Sequence, residues 1–302
     1  MFFLKNKTIF FAFDKNLIYK ITLKQINFFS DTNWIFFLKE KSNMNDVRLL
    51  KNARLENVPI SQNELYNFSS RYTLSIYPLD AICTFIPKNA CSSLRYSIAI
   101  ANGFIKDLND IKWIHSNNQT FIATQRELAL SKYTFVVLRC PFTRVASCFI
   151  DKFVGSKLKF NDSSGKKVSV NFHDFLSIVK SQIKSDRDEH WRNQSDFLHF
   201  DKYDQYFSLE SFSNATNALE DKGFKVHDVR SVVKHDLSGF KRVEGDFSKM
   251  RDVDLKIMKD QGMVPSYKSM FGAQEISLVN EIYSDDIELY KSHFGDRNLL
   301  FK

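Results

Sequence analysis

The order of elements along the chain predicts an α/β fold: a central, mainly parallel sheet flanked by helices, with an N-terminal extension before it. Three observations lead there. Two short apolar runs with β-branched residues, 81–86 (AICTFI) and 133–138 (YTFVVL), are each followed by a loop and a helical pattern. Neither run alternates polar with apolar residues, which marks strands buried on both faces. Polar groups gather where both runs end, and open α/β sheets bind ligands at that edge.

Residues 1–45 hold short aromatic and apolar runs, such as Leu17-Ile18-Tyr19, that suit either strands or a short helix. Residues 46–80 are mixed and polar and read as a connector with some helix. The extension is therefore set at 1–79 and the domain at 80–302. Pro87 stops the first apolar run. Ser92 or Ser93 is suited to cap a helix reaching about Asn102, with Leu94, Ile98 and Ala101 on one face. After the second run, Arg139 leaves the strand and Pro141 suits the first turn of a helix. Phe142, Val145, Ala146, Phe149 and Phe153 form its apolar face, and Thr143, Ser147 and Asp151 a polar stripe. Further helices are expected over 172–184 and 209–222. The last runs from about Gln274 through Ile276, Val279, Tyr283, Ile287 and Tyr290, with Lys291 and His293 in its final turn.

Composition narrows the function classes. The 302 residues suffice for one large domain or two small ones. Nine Gly and five Pro exclude collagen-like and low-complexity chains, and thirty Phe exclude a mainly disordered one. The net charge of +8 favours anionic partners: nucleotides, nucleic acid, acidic glycans or membrane surfaces. Ten Lys/Arg against five Asp/Glu in residues 1–60 place most of that bias at the N-terminus. Cys83, Cys91, Cys140 and Cys148 form no C-x-x-C, so zinc-ribbon and thioredoxin motifs are absent and a reducing compartment is expected. The longest clean apolar run near the N-terminus, Thr8 to Phe13, is too short for a signal-peptide core or a membrane span.

Two segments carry chemistry. Ile86–Arg95 (IPKNACSSLR) links a strand to a helix, where backbone N–H groups and the helix dipole favour an anion. Ala90, Ser92 and Ser93 are small, and Lys88 adds a mobile charge. G-x-x-x-x-G-K-[ST] is absent, so this is not a Walker A loop. Leu138–Phe149 (LRCPFTRVASCF) offers an Arg139 fork and a Ser147 hydroxyl from adjacent elements, a pair suited to one phosphate. Each segment alone reads equally as a capped helix with a surface lysine, or as a salt-bridged arginine. Together, on neighbouring strand exits, they suit a nucleotide charged at both ends.

The pair resembles the 5′-phosphosulfate and 3′-phosphate motifs of sulfotransferases that use 3′-phosphoadenosine 5′-phosphosulfate (PAPS). In detail it is similar to carbohydrate sulfotransferases of the chondroitin and dermatan 4-O type. The matching residues are Pro87-Lys88, Cys91, Ser92 and Ser93, then Arg139-Cys140-Pro141-Phe142, Arg144, Ser147, Phe149 and Asp151-Lys152-Phe153. DEHWRNQ (188–194), YDQYFSLESF (203–212) and YSDDIELY (283–290) keep the family's order. Ala90 stands where many relatives have Gly, Cys140 where they have Asp, and Arg192-Asn193 where they have other residues, including a Pro.

The resemblance implies a P-loop-like three-layer fold and sulfuryl transfer to a glycan hydroxyl in an acidic or surface polysaccharide, with no metal and no nucleic acid. It implies that Pro87, Lys88, Asn89, Ala90, Cys91, Ser92 and Ser93 hold the 5′ end of PAPS. Lys88 would act on the leaving oxygen, and Arg139 with Ser147 would grip the 3′-phosphate. His190 is the general-base candidate and Glu210 the second. Trp191, Tyr203 and Tyr206 are core aromatics by default, with stacking on sugar or adenine as the alternative. A cytoplasmic bacterial enzyme is expected, or a Golgi-lumenal one if the source is eukaryotic. Two other classes stay open: another nucleotide-dependent phosphotransferase, and a non-catalytic polyanion binder.

Overall fold

The computed structural model describes strands 2–5, 8–14 and 17–22 and residues 47–53, 58–155, 159–161, 164–232, 237 and 239–302. The chain forms two units, Met1–Val47 and Arg48–Lys302. In the first, β1 (Phe2–Lys5), β2 (Thr8–Asp14) and β3 (Leu17–Thr22) make an antiparallel sheet in that order. Of the two readings open for residues 1–45, the described part is thus strand; residues 23–46 lie outside the described residues.

The second unit begins with α1 (Glu64–Ser70), capped by the Asn63 side chain on the Tyr66 N–H, and β4 (Thr73–Ile76). β4 pairs antiparallel with β5 (Ala81–Thr84), and every residue of both strands is buried. Asp80, at φ +47°, turns the chain between them. The boundary expected at 79/80 therefore falls between two paired strands, and the unit starts at Arg48. β4 escapes notice because its four residues carry too little pattern to stand out from a polar connector.

Beyond β5 come α2 (Cys91–Ala101), the short α3 (Trp113–Ser116), α4 (Gln125–Leu130), β6 (Tyr133–Leu138) and α5 (Pro141–Lys152). The hairpin β7 (Phe160–Asn161) and β8 (Lys167–Val168) leads to α6 (Phe172–Ser181), then β9 (Gln205–Ser208) and α7 (Phe212–Glu220). β10 (Lys241–Val243), α8 (Asp252–Asp260), β11 (Met263–Pro265), α9 (Ala273–Ile282) and α10 (Ser284–Phe294) complete the chain.

The main sheet runs β4-β5-β6-β9, with β5, β6 and β9 parallel and β4 antiparallel at the edge. This is the mainly parallel, helix-flanked α/β architecture that the two strand–loop–helix units predict. Parallel pairing brings the ends of β5 and β6 side by side, since Thr84 pairs with Val136. Phe142, Phe149, Phe153, Phe172 and Phe175 are fully buried where α5 meets α6, which in turn packs on α9. Each such side chain adds about 1.5–3 kcal/mol by leaving water, enough to hold α5 rigid behind the sheet edge. Among the described residues, no helix is long and apolar enough to cross a membrane.

Two helix expectations are corrected. α2 starts at Cys91, one residue before the serines, with Ala90 as its N-cap in the left-handed region and no side-chain cap. The C-terminal pattern is two helices rather than one, broken at Tyr283 (φ −119°, ψ 27°). The break seats the Tyr283 hydroxyl on the Trp191 carbonyl at 2.7 Å and puts Asp286 in a first turn facing residues 194 and 195.

Candidate active site

The loop leaving β5 carries two non-glycine residues at positive φ, Lys88 at +72° and Ala90 at +57°. Each costs on the order of 1–2 kcal/mol, so neighbouring bonds must hold them. Asn89 is fully buried and its Nδ2 donates to the Val137 carbonyl at 2.9 Å and to Gln194 Oε1 at 2.6 Å. Arg144 Nε donates to the Pro87 carbonyl at 3.2 Å, and Arg139 Nη1 to the Lys88 carbonyl at 2.9 Å. Pinned this way, the loop delivers its chain into α2 uncapped. The first intrahelical bond runs from Leu94 N to the Ala90 carbonyl, so the N–H groups of Cys91, Ser92 and Ser93 precede it. Three amides and the helix dipole meet at this point.

The Lys88 ammonium lies 3.0 Å from Asp151 Oδ2, and Lys152 Nζ lies 3.5 Å from the same oxygen. Lys259 Nζ donates to the carbonyls of Ile150 and Val154 at 3.4 and 3.3 Å. Burial lowers the Lys259 pKa, Asp151 opposes that and Lys88 adds to it, so these charges share one neighbourhood. Lys256, paired with Asp260, and Asp188 act on the same group, so it is a mixed cluster in which amines outnumber carboxylates.

At the end of β6, Arg139 is buried. Its backbone N–H and carbonyl are both held by the Gln194 carboxamide at 2.9 Å, and its Nε donates to Thr143 Oγ1 at 3.1 Å. Buried Ser147 lies two turns into α5. Tyr267, two residues beyond β11, sets its ring 5.3 Å from the Arg139 guanidinium carbon. Burial would raise the Tyr267 pKa, but Arg139, the Ser147 hydrogen bond and Arg242 outweigh it and bring the phenol down to about 8.

The third wall is 188–194. His190 Nδ1 lies 2.6 Å from Asp188 Oδ1, and its Nε2 is 4.0 Å from Glu189 Oε1. Burial pushes the Asp188 carboxyl up, but the hydrogen bonds and charge of His190 prevail and hold it below the usual range, with Lys152 helping. The Tyr72 hydroxyl donates to Glu189. Arg144, almost fully buried, joins this wall to the first loop by donating to the Arg192 and Glu189 carbonyls as well as to Pro87.

Hydrogen bonds thus tie the Lys88 loop to Arg139, and Arg144 ties the same loop to the 188–194 segment. Glu210 does not join as a base. Its Oε1 accepts from Cys140 N and Thr143 Oγ1, and its Oε2 from Ser208 and Tyr290, so it caps the start of α5. Trp191 packs among Phe153, Phe160 and Phe175, and the Tyr203 hydroxyl bonds Thr84 inside the core. Tyr206 stacks on His293 at 3.6 Å. Lys259 lies near Lys88, Tyr267 beside Arg139 and Arg242 beside Tyr267; sequence reading misses all three, because no local motif marks them. Gln194 is visible only as the end of the His-Trp-x-x-Gln resemblance.

Residues 81–293, more than two thirds of the chain, match the sulfotransferase family. No curated protein and no solved structure matches the chain. The matched region spans the loop after β5, the Arg139 segment and the 188–194 wall, and by it the chain belongs to the sulfotransferase family.

Proposed function

We propose that the protein transfers the sulfuryl group of PAPS to a hydroxyl of a glycan, most nearly as the chondroitin and dermatan 4-O type does. The observation that carries this reading is the 2.9 Å hydrogen bond from Arg139 to the Lys88 carbonyl, which joins the two anion motifs. The distribution of donors fits PAPS: an uncapped helix N-terminus with Lys88 for the 5′ end, and Arg139 with Ser147 for a second phosphate. The donor supplies an activated sulfuryl group, and the chain supplies position and charge.

The amides of residues 91–93 and the Ser92 and Ser93 hydroxyls orient the acidic end. Lys88 neutralises charge on the leaving oxygen, with Asp151 holding its ammonium in place. Asp188 occupies His190 Nδ1, which leaves Nε2 to take the acceptor proton. The cluster of Lys88, Lys152 and Lys259 suits an acidic acceptor chain. The four thiols are free, which supports a reducing compartment such as the bacterial cytoplasm.

Calorimetric titration with 3′,5′-adenosine bisphosphate, with Arg139→Ala as control, tests the donor. Saturable binding that the variant loses is the expected result. Magnesium-dependent ATP turnover without such binding would favour a phosphotransferase. Binding of polyanions that fades with salt, with no bisphosphate site, would favour a non-catalytic binder.

A further inference from the structure

Tyr72 immediately precedes β4 and lies outside the residues that match the family. The sheet and the core fix it. Its carbonyl accepts from Phe85 N at 3.0 Å, and its ring packs among Phe68, Phe85 and Phe197 with centroids 5.0, 5.2 and 4.6 Å away. The side chain is buried, and its hydroxyl donates to the Glu189 carboxylate. Burial first, and then Glu189 itself, raise the Tyr72 pKa, so the phenol stays a neutral donor.

Two carboxylates flank the His190 imidazole, and unequally. Asp188 Oδ1 takes both the His190 backbone N–H, at 2.9 Å, and Nδ1, at 2.6 Å. Glu189 Oε1 stops 4.0 Å short of Nε2, beyond hydrogen-bond reach. The Glu189 side chain is nearly half exposed, so packing alone does not hold it there. Among the described residues, the Tyr72 hydroxyl is the one hydrogen-bond donor on its carboxylate. A carboxylate bonded to each ring nitrogen would hold an imidazolium, with no lone pair left to accept a proton.

We propose that Tyr72 is a positioning residue for His190: by anchoring Glu189, it keeps Nε2 open to the acceptor hydroxyl. This rests on the reading above, in which His190 takes the acceptor proton. The other charged groups around the pair are Lys152 on the Asp188 side, Arg95 of α2 and Arg144 of α5 on the Glu189 side, and Arg71 beside Tyr72. Removing one hydroxyl leaves all of them in place, so a change at the imidazole reports the anchor.

The test is an NMR titration of the histidine side chains in the full chain, on wild type, Tyr72→Phe, Glu189→Gln and the double variant. Thermal melts confirm that each folds. Tyr72→Phe frees Glu189 to close on Nε2 and is expected to raise the His190 titration midpoint by about one pH unit. Glu189→Gln removes the charge and is expected to lower it. The double variant should follow Glu189→Gln, because the hydroxyl acts through the carboxylate. The acid limb of kcat/KM, for sulfation of chondroitin with PAPS, should move up with the midpoint in Tyr72→Phe, and activity should return above it. An unchanged midpoint in Tyr72→Phe overturns the positioning role, and so does a double variant that keeps the raised value. A tyrosine that merely packs would lower activity at every pH and leave the midpoint alone. Midpoints that shift while the acid limb stays in place remove His190 as the base, and the inference then falls with the proton reading rather than with the anchor.

Discussion

The two anion motifs solve the same problem by different means. The loop after β5 offers backbone: three helix-terminal amides shaped by left-handed residues at 88 and 90, with a single lysine. The motif after β6 offers side chains, Arg139 and Ser147, on an ordinary strand end and helix. A backbone site is only as good as the bonds that hold its conformation. A side-chain site depends on which partners already occupy it. Arg144 and Gln194, both buried, tie the two together.

That contrast can be broken by mutation. The largest effect is expected for Lys88→Ala, which should lower kcat about 10²–10³-fold while leaving bisphosphate affinity within a few-fold. Arg139→Ala should do the reverse, raising the bisphosphate Kd about tenfold or more. Steady-state kinetics beside calorimetry separates them, and equal effects on both readouts would erase the distinction. Arg144→Met should destabilise the fold by about 3 kcal/mol, since it strands the buried carbonyls of Pro87 and Arg192. A urea melt within 1 kcal/mol of wild type would show that the loops need no such tie.

The next effect is on pH. Arg139 from β6, Arg242 from β10 and the Ser147 hydroxyl from α5 face the Tyr267 phenol. Below about 8 the phenol is neutral; above it the phenolate pairs with the arginines. Bisphosphate affinity should therefore fall several-fold from pH 7 to 9 in wild type and stay level in Tyr267→Phe. The same fall in both proteins would assign it to another group. The smallest effect is expected for Ala90→Gly, which relieves a left-handed alanine. It should raise stability by under about 1 kcal/mol, and a lowered melting temperature would mean that the alanine methyl contributes packing that outweighs its strain.

What could be read from the sequence was local. The runs at 81–86 and 133–138 announce buried parallel strands, and Lys88, Arg139 and Ser147 stand beside them in motifs of fixed spacing. What could not be read was set by distant contacts. Nothing near Ala90 signals a left-handed cap, because Asn89, Arg139 and Arg144 impose the loop from outside it. Tyr267 lies in MVPSYKSM, a stretch with no motif, and reaches Arg139 from 128 positions away. The helix break at Tyr283 is silent because residues 279, 283, 287 and 290 keep their faces across it.

The ion pair between Lys88 and buried Asp151 fixes the ammonium in advance. A lysine already seated has little rotamer freedom left to lose when an acidic group reaches it, so less of the contact energy goes into ordering the side chain.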